Sequence, residues 1–158
     1  MMRIRRFSLS LLPLLCLPSI AAAAACPWLN AATAGGILGG PAAMTVTPSR
    51  TSGDATCSFI RQNGSRTFEL RIEVETMRSP AADFGAYKAR CHIASVPLKA
   101  IGNEAFACSD GARAEQVIGR VREHAFVVRI SVNDGPAQAD TFREKARQVA
   151  EQVAGILF

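Results

Sequence analysis

Few side chains in this sequence can exchange protons, attack a carbonyl or hold a metal. The 158 residues include two histidines, His92 and His124, and five cysteines, at positions 16, 26, 57, 91 and 108. A metal centre needs several His, Cys or carboxylate ligands converging on one point, and no spacing here suggests such a cluster. Cys91 and His92 are adjacent, which invites a thiolate–imidazole pair. Neighbours on a helix project about 100° apart, so the two would not meet within the hydrogen-bond reach that nucleophile activation requires. Thiol redox catalysis favours a Cys-x-x-Cys pair, and none is present. Gly-x-Ser-x-Gly, His-Glu-x-x-His and calcium-loop patterns are also missing. Glu73 and Glu75 share one face of an alternating segment and read as solvated carboxylates rather than an acid–base pair. The run Gly35-Gly36-Ile37-Leu38-Gly39-Gly40 lacks the Lys-Ser/Thr of a phosphate loop and reads as a helix end with its turn. Trp28, the only tryptophan, is expected to pack over a disulfide rather than stack on a sugar. No catalytic, cofactor-binding or metal-ligating residue is named by the sequence, and His92, near a helix end, and His124, at an exposed hairpin tip, are expected to be dispensable.

The cysteines belong to a different chemistry, that of compartment and covalent bracing. Arg3, Arg5 and Arg6 precede an apolar run over residues 7–20 and then Ala21 to Ala25, the three parts of a secretory signal peptide. The run is short of the roughly 20 residues that cross a bilayer, and no later segment is apolar enough to do so. Cleavage before Cys26 leaves residues 26–158 as one domain. The chain has 18 Lys+Arg and 13 Asp+Glu; loss of the three leader arginines leaves 15 against 13, a net charge of +2. No run of like charges remains, which argues against a nucleic-acid partner. The domain keeps four cysteines, an even number that reads as disulfides in an oxidising compartment. Cys26–Cys57 and Cys91–Cys108 are the expected pairs, each joining a helix to a strand within its own half of the chain. A competing reading lipidates Cys26 and anchors the protein to a membrane. It would leave three cysteines, and Ala23 stands where a lipoprotein signal usually has Leu.

Around these cysteines the hydrophobic pattern predicts a mixed fold. Asn30 can cap a short helix over 31–38 that Gly39 closes. Strands are expected at 43–47, 55–62 and 66–76, with a hairpin at Asn63-Gly64. In the third, Phe68, Leu70, Ile72 and Val74 alternate with Glu69, Arg71, Glu73 and Glu75, which puts one apolar face on a core. Ser79-Pro80 opens a helix that runs to about His92 with Phe84, Tyr87 and Cys91 on one face. Strands are then expected at 96–100, 105–108, 114–121 and 125–132. The last helix spans 136–157, with Thr141 and Glu144 at capping-box spacing and Phe142, Ala146, Val149, Val153 and Ile156 as its apolar stripe. Residues 79–90 echo 135–147, so the expected architecture is α+β: a short helix, then two β-β-β-α units, forming an antiparallel sheet with packed helices.

Cys26-Pro-Trp-Leu-Asn-Ala, Ile37-Leu-Gly-Gly40, Cys57 and Ile101-Gly-Asn-Glu-Ala-Phe106, followed by a hairpin and an amphipathic helix, resemble a class of small exported bacterial domains of unknown function. The chain is similar to the actinobacterial lipoprotein type that begins Cys-x-Leu-Leu/Thr and later carries Gly-Leu-Gly-Asp-Glu-Ala. That resemblance implies the PsbP-like α/β sandwich architecture and no catalytic residues. The expected role is an exported, periplasmic or secreted, non-enzymatic binding or accessory module for an unknown protein or small-molecule partner, with no cofactor. A hydrolase or transferase with an unrecognised site, and a structural envelope protein, are the competing roles.

Overall fold

A computed structural model describes residues 24–51, 53–91, 93 and 95–158. The signal peptide expected over 1–25 lies outside these residues except for Ala24 and Ala25, and His92 lies outside them as well.

The chain forms an α+β fold in the order α1 (Ala31–Leu38), β1 (Ala43–Pro48), β2 (Ala55–Asn63), β3 (Arg66–Thr76), α2 (Pro80–Lys88), β4 (Val96–Leu98), β5 (Glu104–Ser109), β6 (Ala114–Val121), β7 (His124–Val132) and α3 (Ala139–Leu157). The strands make one antiparallel sheet in the order β1-β2-β3-β7-β6-β5-β4. The unit after α2 has the three long strands β5, β6 and β7 and, in addition, the short edge strand β4.

Each half of the sheet is a meander, and the two meanders join where β3 pairs with β7, Leu70 opposite Ile130 and Ile72 opposite Val128. β3 is therefore central, while β4, the next strand in sequence, is at the far edge. The connection crosses four strand spacings, about 19 Å, and α2, about 13 Å long, covers part of that distance by running over one face of β7 and β6. Its Phe84 closes a small core with Met77, Cys108, Ile118, Ala125 and Val127. The opposite face carries the main core: Cys57, Phe59, Leu70, Ile72, Val74, Val117, Phe126, Val128 and Ile130. Two helices cover it. From α1 come Ala34 and Leu38; from α3 come Phe142, Ala146, Val149, Ala150, Val153 and Ala154.

Local chemistry sets the element ends. Asn30 Oδ1 accepts the Thr33 N–H at 2.8 Å, and Gly39 at φ +85° closes α1 in the left-handed cap that glycine adopts without a Cβ penalty. The β2–β3 hairpin turns one residue later than expected, at Gly64-Ser65, because Asn63 still pairs with Arg66. Gly64 supplies the positive φ, +61°, that a type II′ turn needs at its first central position. Helix α2 stops at Lys88, short of the expected 92, where the chain turns to deliver Cys91 to Cys108. Ser79 makes no side-chain cap; the Asp83 carboxylate instead accepts the Ser79 N–H at 2.8 Å. Helix α3 begins at Ala139, three residues after the expected start, with Gln138 at its N-cap. Thr141 thus lies inside the first turn and cannot cap it, and Glu144 pairs with Arg147 at 2.8 Å instead.

Candidate functional site

Two disulfides form. Cys26 joins Cys57 and Cys91 joins Cys108, with Cα–Cα distances of 5.9 and 5.7 Å. Cys26 precedes α1 rather than lying on it, and Cys91 follows α2. Trp28 is buried in the same core as Cys26 and Cys57. Such bridges mark an oxidising, extracellular-type environment, and among the described residues no helix is long and apolar enough to cross a membrane. The four cysteines are thus committed to structure.

The other residues weighed from the sequence are likewise occupied. Glu73 pairs with Arg71 at 2.8 Å and Arg90 at 3.1 Å. Glu75 accepts the Tyr87 hydroxyl hydrogen bond. Burial, reinforced by that bond and by the Glu75 charge, holds the Tyr87 phenol well above its ordinary range. His124 opens β7 just past the hairpin tip and is half-buried rather than exposed, with Nδ1 3.3 Å from Thr76 Oγ1. Thr76 in turn donates Oγ1–H and N–H to Asp54 Oδ1 at 2.7 and 3.0 Å. The hydroxyl proton goes to the carboxylate, not the imidazole, so this arrangement ties β3 and β7 to the loop before β2 and does not prepare a nucleophile. Glu115, almost fully buried, is satisfied by Ser109 at 2.6 Å and Arg143 at 3.2 Å.

What remains unfilled is a gap between the two helices of the main-core face. Helix α3 lies over β5, β6 and β7, and α1 over β2 and β3. Eight residues give α1 a length of only about 12 Å, so it leaves the hairpin end of β2 and β3 uncovered. A cavity of about 250 Å³ opens there, lined by Ile37, Leu38 and Gly39 of the α1 end, Arg61, Arg66, Phe68 and Ile130 of the sheet, and Gln138, Phe142 and Lys145 around the start of α3. A shallower groove continues from it past Asp134, Gly135 and Pro136, sharing Arg66 and Gln138.

Phe68 is the centre of this arrangement. Its ring meets Phe142 edge-on at 6.4 Å. The Arg61 and Arg66 guanidinium carbons lie 5.4 and 5.2 Å from its centroid, within the range of cation–π attraction. Both arginines are fixed by backbone. Arg61 Nη1 donates to Leu38 O at 2.8 Å, placing a cation on the negative end of α1; Arg66 Nε donates to Asp134 O at 3.2 Å. Glycines leave them room: a Cβ on Gly40 would stand 2.6 Å from Arg61 Nε, and one on Gly135 would stand 3.4 Å from Arg66 Nη2. Lys145 supplies a third cation. Among the described residues none of the three forms an ion pair with a carboxylate, although nine pairs of Arg or Lys with a carboxylate occur elsewhere in the fold. Asp134 offers Arg66 only its carbonyl, and Asp140 faces Arg143 at 3.9 Å.

No family model matches this chain. No curated protein matches it either, and no solved structure does. The cavity therefore has to be read from its own chemistry.

Of its residues the sequence reading weighs for chemistry only Ile37, Leu38 and Gly39, in the run that lacks the phosphate-loop pattern, and none of the polar groups. The signal was present as parity: Arg61 shares a face with Cys57 and Phe59, and Arg66 shares one with Phe68 and Leu70. A cation on the core-facing parity of a strand either pairs, snorkels or serves a site. Lys145 and Gln138 come from a distant helix, and nothing local links them to the hairpin.

Proposed function

We propose that this chain is an exported, non-enzymatic binding module whose ligand seat is the cavity between α1 and α3. One observation carries the reading: a concave space with an apolar floor and a few polar groups aimed into it, which is the usual composition of a small-molecule site. The lining has no His, Cys, Ser, Thr, Tyr or carboxylate; Lys145 is its one side chain of a type that can act as nucleophile or base, and no second such group stands in the lining to take a proton from it. Two disulfides and the basic, apolar, alanine-ending N-terminus support export, and the resemblance to small exported bacterial domains fits the same placement.

Gln138 is exposed, lines the mouth and makes no capping bond, so Gln138→Trp blocks the cavity without removing a structural contact. Native mass spectrometry of the protein taken from an exporting host should find a small molecule on the wild type and none on Gln138→Trp. Equal retention by both would place the ligand elsewhere. A wild type that is empty and shows no NMR shift at Phe68 or Phe142 on titration with a fragment library would overturn the reading.

A further inference from the structure

We infer that the ligand is an amphiphilic anion, an oxyanion head on a short apolar body, and this rests on the cavity being the ligand seat. The argument begins with unspent donors. A guanidinium has five N–H groups, and each of Arg61 and Arg66 uses one hydrogen bond to a backbone carbonyl. Lys145 uses none among the described residues. Three cations thus share one lining with no carboxylate and with Gln138 as the sole side-chain acceptor. Such a lining repels a cationic ligand. It also suits a sugar poorly, because sugar hydroxyls need acceptors as well as donors. A carboxylate or phosphate suits it well, since the planar fork of Arg matches their oxygens pairwise.

The floor sets the rest of the ligand. Leu38, Phe68, Ile130 and Phe142 offer carbon and no polar side-chain atom, so a bare inorganic anion would leave that surface unused. At about 250 Å³ the cavity holds about eight waters' worth of volume, which suits the burial of a short apolar body of similar size. Preorganisation raises the expected affinity: carbonyls, glycines and the Phe68 ring already fix the two forks, so little side-chain entropy remains to be lost on binding.

The test is calorimetric titration with sodium octanoate, octan-1-ol and inorganic phosphate at one ionic strength. Octanoate should bind about tenfold or more tightly than either of the others, the range expected of charge-assisted hydrogen bonds. Arg61→Gln and Arg66→Gln should each weaken octanoate by a similar factor and leave octanol unchanged. Arg71→Gln, on the opposite face, removes the same charge and should leave octanoate unchanged. If an arginine variant fails to fold, Lys145→Gln breaks no hydrogen bond and gives the same reading with a smaller drop. Octanol binding as tightly as octanoate, indifferent to the Gln variants, would overturn the anionic head while the ligand seat stands. Phosphate matching octanoate would overturn the apolar body. No binding by any of the three, together with no NMR shift at Phe68 or Phe142, would remove both the inference and the seat.

Discussion

Glycine substitutions separate the site from the scaffold. A Cβ on Gly40 would meet the Arg61 side chain at 2.6 Å, and the guanidinium would swing off the Leu38 carbonyl that holds it, toward solvent and without disturbing the core. Gly40→Ala should therefore cost less than about 1 kcal/mol in urea denaturation yet weaken octanoate by displacing Arg61. Gly119 is the opposite case. Its Cβ would stand 2.1 Å from Cζ of Phe126, a ring fully buried in the main core. Gly119→Ala should lower stability by about 2 kcal/mol or more through overpacking, with octanoate affinity per folded molecule unchanged. Tyr87 gives a pH signature. Its phenol is held above the ordinary range of about 10 by burial first and by Glu75 second. The folded state thus keeps a proton that the unfolded chain releases, so this contribution is complete below about pH 10 and is lost as pH rises beyond it. Alkaline denaturation should show that slope in the wild type and a flatter one in Tyr87→Phe.

At the scale of elements the two disulfides differ in what they hold. Their sequence separations are 31 and 17 residues, and chain entropy alone assigns each roughly 3 kcal/mol, somewhat more for the longer loop. Cys57 is fully buried in the main core beside Trp28, whereas Cys91 is only half-buried at the end of α2. Replacing Cys26 and Cys57 by Ser should therefore lower the denaturation midpoint further than replacing Cys91 and Cys108, since it puts two hydroxyls into an apolar core where the second pair, with only Cys108 buried, puts one. The elements themselves were largely legible. Alternation in 66–76 and the stripe Phe142, Ala146, Val149 and Val153 report burial directly, and Asn30 and Gly39 bracket α1 through local hydrogen bonds. What misled was chemistry read locally where tertiary geometry decides. Asn63-Gly64 carries a turn signal, but strand pairing retains Asn63 and passes the turn to Gly64-Ser65. Thr141 and Glu144 have capping spacing, but the helix begins at Ala139, which leaves Thr141 within its first turn, after non-helical residues 136–138 that line the groove and the cavity mouth.

For the whole molecule, the sheet order was out of reach of the sequence, since no local pattern says that β3 should pair with β7 rather than with β4. The cavity follows from that order. Only when the two meanders meet do Arg61, Arg66 and Phe68 of one come under Gln138, Phe142 and Lys145 that follow the other. A site assembled by topology from single residues on unrelated elements leaves no motif. Among the described residues Lys145 has no carboxylate partner to offset its neighbouring cations, so Lys145→Gln should leave the free energy of unfolding unchanged or raise it by up to about 0.5 kcal/mol, as expected where a residue is placed for binding rather than stability.

The seam between β3 and β7 also bears on how the chain folds. Hairpins β2–β3 and β6–β7 close over short turns and need only local loop closure. The seam pairs Phe68 with Val132 and Thr76 with His124, contacts distant in sequence that carry most of the loop-closure entropy and set a slow rate. Neither disulfide spans it: one braces the first meander, the other the α2 end against β5. Oxidation can therefore be completed in each half before the halves dock, and it does not guard against docking with the wrong partner. Two crowded nascent chains can each offer β3 to the other's β7, with the α2 connection as the hinge, and the product is a dimer with exchanged halves whose bridges are all correct.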